Sequence, residues 1–583
     1  MSLHNILENQ VLLFDGAMGT YLMGKDRHFG SCCEMANLEA PELVASIHGE
    51  YLAAGCNAIK TNTFSANRPS LGEENCRRVI QAGWQITSGT PGNPLVFADI
   101  GPISLSGGRD LLEEYRFVVD EFMELGAKNF LFETHSRATC LPEIAAYIKT
   151  KQPESFILCS FATLPDGFTR DGIQIGALLS QLDGNENVDA LGLNCVTSAR
   201  HMAELVKQLP SLQKPLSVMP NAGYPTVLKD RPVYDGAPQY FAQQVAGLRA
   251  LGVKILGGCC GTTPEHLAAV AQALKEPAAK SVPIPERAAK KEPAPAQNPF
   301  WEALCDENQK PFAVELDPPE GADVQKFMAG AKELRDSGAS IVTIADCPIA
   351  RARMDSSLLA CKLRRELGVQ ALPHMTCRDR NLNATKALLL GLCAEDVHNV
   401  LVVTGDPIPT ASRDEVKSVY NFNSRMLAQY ITGLNDTVLP TPFHVFGALN
   451  LNARNFKVQL SLAQQKEENG VCGFLTQPVL TAQALDNLKL ARQTLKGKIL
   501  GGIIPIVSHR NACFMNSEVS GITVDDEIVK MYEGLDRQQG EDLAVTISSA
   551  VAKEIAPYID GYYLITPFGR TGLMARIMEE IRK

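Results

Sequence analysis

The feature that most restricts how this chain can fold is a repeated count. Up to residue 260, short apolar runs alternate with longer amphipathic stretches, and eight runs stand out: VLLFDG, NAIKTNTF, LVFADI, NFLFET, FILCSF, ALGLNC, LSVMPN and KILGGCC. Each ends in polar or small residues at its C-terminal side, and stretches of helical period such as LLEEYRFVVDEFMELGA lie between them. After residue 310 a second set follows: FAVEL, SIVTIAD, QALPHMTC, NVLVVTGD, FHVFGAL, CGFLTQP, LGGIIPIV and GYYLITP. Strand alternating with helix is the pattern of a parallel α/β architecture. An open doubly wound sheet gives a similar alternation, but eight strands in each half favour two tandem (β/α)8, or TIM, barrels.

Between the two sets, EPAAKSVPIPERAAKKEPAPAQN is rich in Pro, Ala, Lys and Glu, carries no sustained apolar period and reads as a linker. Its reach is roughly 25 to 70 Å, depending on whether it behaves as a coil or as extended polyproline. The expected organisation is therefore a barrel over 1–275, a linker over 276–298 and a barrel over 299–583. The 583 residues leave room for two barrels of about 250 residues each. A net charge of -10 provides no basic stripe for a phosphate backbone, so nucleic acid is not an expected partner. MSLHNILENQ lacks the basic region and apolar run of a secretory signal, and no stretch of about 18 apolar residues occurs elsewhere. The expectation is a cytoplasmic protein with no membrane partner that acts on small molecules, as a monomer or a homo-oligomer.

In such barrels the active site lies at the C-terminal ends of the strands, where Asp15, Glu133, Cys195, Cys259, Cys260, Glu315 and Asp406 all fall. Sixteen cysteines are scattered with no short-loop framework, so disulfides are not expected, and thiols such as Cys56 and Cys361 read as buried small hydrophobes. Cys195, Cys259 and Cys260 are different because they end the sixth and eighth runs of the first half. Adjacent Cys259 and Cys260 alone would read as two buried thiols beside a glycine turn. The distant third thiol favours a metal site, and three sulfurs without a fourth ligand suit a catalytic zinc, which keeps one tetrahedral position open. Asp15 could be a turn-former before Gly16, and Glu133 could cap the next helix. Their place at the same mouth as the cysteines favours binding.

DGAMGT at Asp15–Thr20, TNTF at Thr61–Phe64, FET at Phe132–Thr134, LNC and GGCCG resemble the homocysteine S-methyltransferase family across essentially the whole first half. The resemblance implies that Cys195, Cys259 and Cys260 hold Zn2+, that the homocysteine sulfur takes the open position, and that Asp15 and Glu133 bind its amino-acid end. Zinc would turn that sulfur into a thiolate at neutral pH.

In the second half, VELDPP sets Glu315 among apolar neighbours, where desolvation raises a carboxyl pKa and suits it to deliver a proton near neutrality. The alternative is a Glu paired with a basic side chain inside the barrel. PHMTC at Pro373–Cys377, TGDP at Thr404–Pro407, LTQP at Leu475–Pro478 and GGIIP at Gly501–Pro505 together resemble the methylenetetrahydrofolate reductase family from about Lys310 onward. By that resemblance Thr343, His374, Thr376, Asp406 and Lys466 would meet FAD, with Lys466 at its phosphates. Gln477 and Arg570 would hold the folate, and Glu315 and Asp406 would be the catalytic carboxyl groups, Glu315 as the acid that opens 5,10-methylenetetrahydrofolate. The family often reads Glu-Phe-Phe-Pro-Pro where this chain has Glu-Leu-Asp-Pro-Pro, so Asp317 adds a charge beside Glu315. No GxGxxG fingerprint marks a nucleotide fold, so NADH or NADPH, NAD(P)H in either form, would bind by shape over the flavin.

Two functions stand at this stage: a bifunctional one-carbon enzyme, or one catalytic barrel with the other sensing folate or homocysteine. Folate-binding and cobalamin modules do not fit the remaining length, and DVHNVL at Asp396 departs from the DxHxxG cobalamin signature. The methyl donor would be 5-methyltetrahydrofolate, an external corrinoid protein or a sulfonium.

Overall fold

A computed structural model describes residues 3–30, 32–105, 109–228, 231–234, 236–276, 298–408, 417–519 and 521–583. The chain divides into two compact units, Met1–Ala289 and Lys290–Lys583. The 276–298 segment lies outside the described residues except at its two ends.

The first unit is built on β1 (Leu12–Leu13), β2 (Ala58–Lys60), β3 (Leu95–Ile100), β4 (Asn129–His135), β5 (Phe156–Phe161), β6 (Ala190–Ser198), β7 (Leu216–Asn221) and β8 (Ile255–Leu256). Each is parallel to the next, β8 pairs with β1, and a parallel bridge between Phe14 and Ala58 closes the ring. All eight fall on the apolar runs read from the sequence. An antiparallel ribbon, Thr226–Leu228 against Arg231–Val233, follows β7 and was not expected. The second unit closes outright through β9 (Phe312–Leu316), β10 (Ile341–Ile344), β11 (Ala371–Thr376), β12 (Asn399–Val403), β13 (His444–Leu449), β14 (Val471–Pro478), β15 (Lys498–Ile503) and β16 (Gly561–Ile565). Strands covered on both faces read as continuous apolar runs, and every residue of β5 is buried.

The helices form for local reasons. In Leu111–Glu124 the carboxyl of Asp110 accepts the Leu112 N–H at 2.8 Å, while Tyr115, Val118, Val119 and Phe122 recur at helical spacing and are buried. Each such side chain contributes about 1.5–3 kcal/mol on burial. Asp536 and Gln539 exchange side-chain to backbone hydrogen bonds at the start of Arg537–Ile555, a reciprocal cap.

One arrangement recurs in both units and decides where chemistry can occur. A short helix before the first strand, Leu3–Asn9 in one unit and Pro299–Cys305 in the other, sends apolar side chains into the lower barrel interior: Leu3 and Leu7, then Phe300 and Leu304. With that end plugged, the C-terminal ends of the strands are the open mouth. Two residues beyond the interior apolar cluster of Ala58, Phe97, Leu131 and Leu158 stand Lys60, Asp99, Glu133 and Ser160. Two beyond Ala313, Ile341 and Leu372 stand Glu315, Thr343 and His374. Period-two alternation along a strand keeps these polar residues facing inward.

Candidate active sites

In the first barrel the loops after β1 and β8 interlock. Ala17 N–H donates to Thr262 Oγ1 at 3.0 Å, Gly258 N–H to the Asp15 carbonyl at 3.1 Å and Gly261 N–H to Thr20 Oγ1 at 3.0 Å. A Cβ on Gly16 or Gly258 would lie 2.5 Å from Thr262 Oγ1, so close approach of the two backbones demands glycine. This fixes Cys259 and Cys260, whose backbones also bond to the end of β7: Cys259 N–H to the Pro220 carbonyl and Ala222 N–H to the Cys260 carbonyl.

Cys195 arrives from β6 in a strained conformation. Cys195 and Val196 both have left-handed backbones, with φ of 59° and 60°, and Thr134 beside them on β4 has φ of 64°. Such residues cost of order 1–3 kcal/mol each and cluster where a site over-determines them. Asn194 ties the two strands: its Oδ1 accepts the Thr134 N–H and the Ser160 hydroxyl, both at 2.9 Å, and its Nδ2 donates to Thr134 Oγ1 at 2.7 Å.

The three sulfurs expected to converge lie within 4.8 Å of one another, with Cys195 Sγ 3.6 Å from Cys260 Sγ. A tetrahedron with Zn–S bonds of about 2.3 Å has S–S edges of about 3.8 Å, so the spacing fits such an ion. Cys259 pulls the Cys195 thiol down, but Cys260 and burial outweigh it and push the thiol up to about 12. A bound divalent cation reverses that balance.

Next to the thiols the structure assembles a charge cluster only half of which was expected. Asp15, Lys60, Asp99 and Glu133 are all buried. Lys60 Nζ stands 3.4 Å from Asp15 Oδ1, and its backbone N–H donates to Asp15 Oδ2 at 3.1 Å. Asn194 Nδ2 reaches Glu133 Oε2 at 3.4 Å. Burial pushes the Asp15 carboxyl up to about 6 against the pull of Lys60, and burial likewise raises Asp99 and Glu133. Asp15 Oδ1 and Asp99 Oδ1 are buried without a hydrogen-bond partner. One ammonium among three carboxyl groups leaves room for a second cationic group, such as the amino end of an amino acid. Lys60 and Asp99 were missed, although their position two residues past an inward-facing apolar residue was readable.

In the second barrel Glu315 is 16% exposed, and its neighbours in the ladder are Thr343 on β10 and Ile565 on β16. Burial pushes its carboxyl up to about 7, with the Tyr563 hydrogen bond pulling down and Asp317 pushing up. Tyr563 OH donates to Glu315 Oε2, and His374 Nε2 lies 3.6 Å from the same oxygen. Burial lowers His374 to about 4, so it is a neutral neighbour. Thr376 donates through its N–H (3.0 Å) and hydroxyl (2.9 Å) to Asp346, which also accepts from Arg380 at 2.8 Å.

The remaining expected residues are spread around the mouth. Asp406 lies exposed after β12, with its carbonyl accepting from the buried Arg378 at 3.0 Å. Lys466, on helix Phe456–Glu468, donates to the Ala448 carbonyl at 2.9 Å, and burial and Arg425 lower its pKa to about 8. Gln477 is half-buried on β14, and Arg570 pairs with Glu541 at 2.8 Å. His374 Nε2 and Thr566 Oγ1 are buried without hydrogen-bond partners, and Lys466 is a poorly hydrated cation. These groups fit a polar, anionic ligand such as a flavin nucleotide. Among the other thiols, Cys56 is buried as expected, while Cys361 is half-buried. No described helix is long and apolar enough to cross a membrane.

Comparison with known proteins separates the two barrels. Residues 12–274 match the family model described as homocysteine S-methyltransferase, and residues 301–580 match the model for methylenetetrahydrofolate reductase. The chain is 31% identical over 326 residues to methionine synthase of Mycobacterium tuberculosis, covering 50% of this chain and 26% of that protein. It is 27% identical over 301 residues to homocysteine S-methyltransferase YbgG of Bacillus subtilis, covering 45% of this chain and 93% of that one. It thus spans about a quarter of the length of the methionine synthase. Among solved structures, the metallated form of homocysteine methyltransferase MmuM from Escherichia coli aligns with 24% identity and a TM-score of 0.38, over 46% of this chain and 99% of that one.

Proposed function

Because this chain belongs through its first barrel to the homocysteine S-methyltransferase family and through its second to the methylenetetrahydrofolate reductase family, we propose that it is a bifunctional one-carbon enzyme. The first barrel methylates homocysteine to methionine, and the second reduces 5,10-methylenetetrahydrofolate to 5-methyltetrahydrofolate at the expense of NAD(P)H. The observation that carries the reading is the shared layering: each barrel sets ionisable groups, buried in the first and largely buried in the second, immediately above its last apolar layer, at its open end.

In the first barrel Cys195, Cys259 and Cys260 would hold zinc, which when bound supplies the charge that keeps a substrate thiol ionised. The chain's own contribution is to aim three sulfurs at one point and to bind the amino-acid end. Asp15 and Glu133 would accept from the substrate ammonium, with Lys60 preventing three adjacent carboxyl groups from facing one another uncompensated.

In the second barrel Thr343, His374, Thr376, Asp406 and Lys466 would hold FAD, which when bound supplies the hydride. Gln477 and Arg570 would orient the folate. Glu315, protonated near neutrality, would give its proton to a nitrogen of the imidazolidine ring. That carbon–nitrogen bond breaks with its electron pair going to the protonated nitrogen, and the other ring nitrogen forms the iminium that accepts hydride. The test is stopped-flow kinetics of Glu315→Gln: electrons should still pass from reduced nicotinamide, while methylenetetrahydrofolate is no longer reduced. Loss of both half-reactions would make Glu315 a scaffold residue, and loss of neither would put the acid elsewhere.

A further inference from the structure

The proton donor of the second barrel has a partner that the reaction as described does not use. Tyr563 belongs to the apolar interior cluster with Ala313, Ile341, Leu372, Leu401 and Phe446, yet it is the one member whose side chain ends in a hydroxyl. It pairs with Ala313 in the ladder, so its ring starts one layer below Glu315 and its hydroxyl reaches upward to Oε2. His374 Nε2 approaches the same oxygen but makes no hydrogen bond. Oε1 accepts no hydrogen bond among the described residues.

We propose that Tyr563 is a positioning residue for Glu315, holding Oε2 from beneath and supporting the carboxylate that remains once the proton has left. The inference rests on Glu315 being the acid. In the transfer Glu315 loses its proton to the substrate nitrogen, while Tyr563 keeps its own and donates it as a hydrogen bond to the new anion. A hydrogen bond to a charged acceptor is stronger than one to a neutral acid, so Tyr563 favours the product side of the transfer.

Among the described residues, the polar groups facing Glu315 are few. They are Tyr563 from β16, neutral His374 from β11, the hydroxyl of Thr343 from β10, and Asp317 on the same segment, itself raised by burial and drawn down by Arg353. Of these Tyr563 is the one that lowers the Glu315 pKa, against burial and Asp317. Removing its hydroxyl should therefore make Glu315 a weaker acid.

The experiment is Tyr563→Phe in the full flavin-loaded protein, read in two ways. The alkaline limb of the folate half-reaction should move up by about one pH unit, since a charge-assisted hydrogen bond corresponds to about that shift, and the rate below the limb should fall about ten-fold. The infrared band of the protonated Glu315 carboxyl, assigned by its absence in Glu315→Gln, should titrate higher by the same amount. A limb and a band that coincide with wild type overturn the proposal. In the electron transfer from reduced nicotinamide, which Glu315→Gln leaves intact, adding Tyr563→Phe should cost nothing further, and a loss there would mean that Tyr563 acts through the fold. If Glu315→Gln itself keeps full folate reduction while the band still shifts, the acid assignment fails and the Tyr563–Glu315 coupling stands.

Discussion

Lys60→Met is the most informative perturbation of the first barrel, because its effect can be worked from the charges around it. The ammonium stands 3.4 Å from Asp15 and holds down the carboxyl groups of Asp15, Asp99 and Glu133. Breaking a buried pair by removing one partner typically costs about 3–5 kcal/mol. A stranded carboxyl can escape by taking a proton, which sets a ceiling. Asp15 already sits near 6 with Lys60 present, so at pH 8 its protonation adds about 2.7 kcal/mol, two units at 1.36 kcal/mol each. Asp99 and Glu133, whose carboxyl groups Lys60 also holds down, act in the same direction. An acid whose folded pKa lies above its unfolded value destabilises progressively as pH rises between the two, and not further above the folded pKa. In wild type the Asp15 cost levels off near pH 6, whereas in the variant it keeps growing. The difference should therefore be small at pH 5 and full at pH 8. At about 2–4 °C per kcal/mol for a domain of this size, the first-barrel transition should fall by about 6–20 °C at pH 8. Scanning calorimetry of the full chain measures it, with the second-barrel transition identified by its rise on adding FAD. An unchanged transition at pH 8 would refute the charge argument, and an equal loss at pH 5 would assign Lys60 a packing role instead.

The thiol cluster predicts about one zinc per chain, and Cys259→Ala should abolish metal retention and methyl transfer while electron transfer from nicotinamide persists; elemental analysis with paired assays decides it. Since Glu315 titrates near 7 and must be protonated to act, folate reduction should fall about ten-fold per pH unit above that value. A flat profile from pH 6 to 9 would remove Glu315 as the acid. Lys466→Met should weaken FAD binding by about 10- to 100-fold, the worth of one charge-assisted hydrogen bond. Wild-type affinity should drop above pH 8 as this lysine loses its proton, which equilibrium dialysis of the flavin can follow.

The sequence by itself determined the architecture, because a strand buried on both faces must be an apolar run and a barrel needs eight of them; both sets of runs became strands. It also brought Cys195, Cys259 and Cys260 to one mouth, since strand direction decides which end of a run faces the site. What it could not convey is which side chains meet across the ring. Lys60, Asp99 and Tyr563 were not singled out within NAIKTNTF, LVFADI and GYYLITP; their partners follow only when β1 to β4 stand side by side and β16 closes against β9. Asp406 and Glu315 both end strands, yet one is exposed on a loop and the other largely buried. The reason is geometric. Period-two alternation along a strand is local and therefore legible, whereas the stagger between neighbouring strands is set by closure of the whole barrel, and that stagger selects the partners of every inward-facing charge.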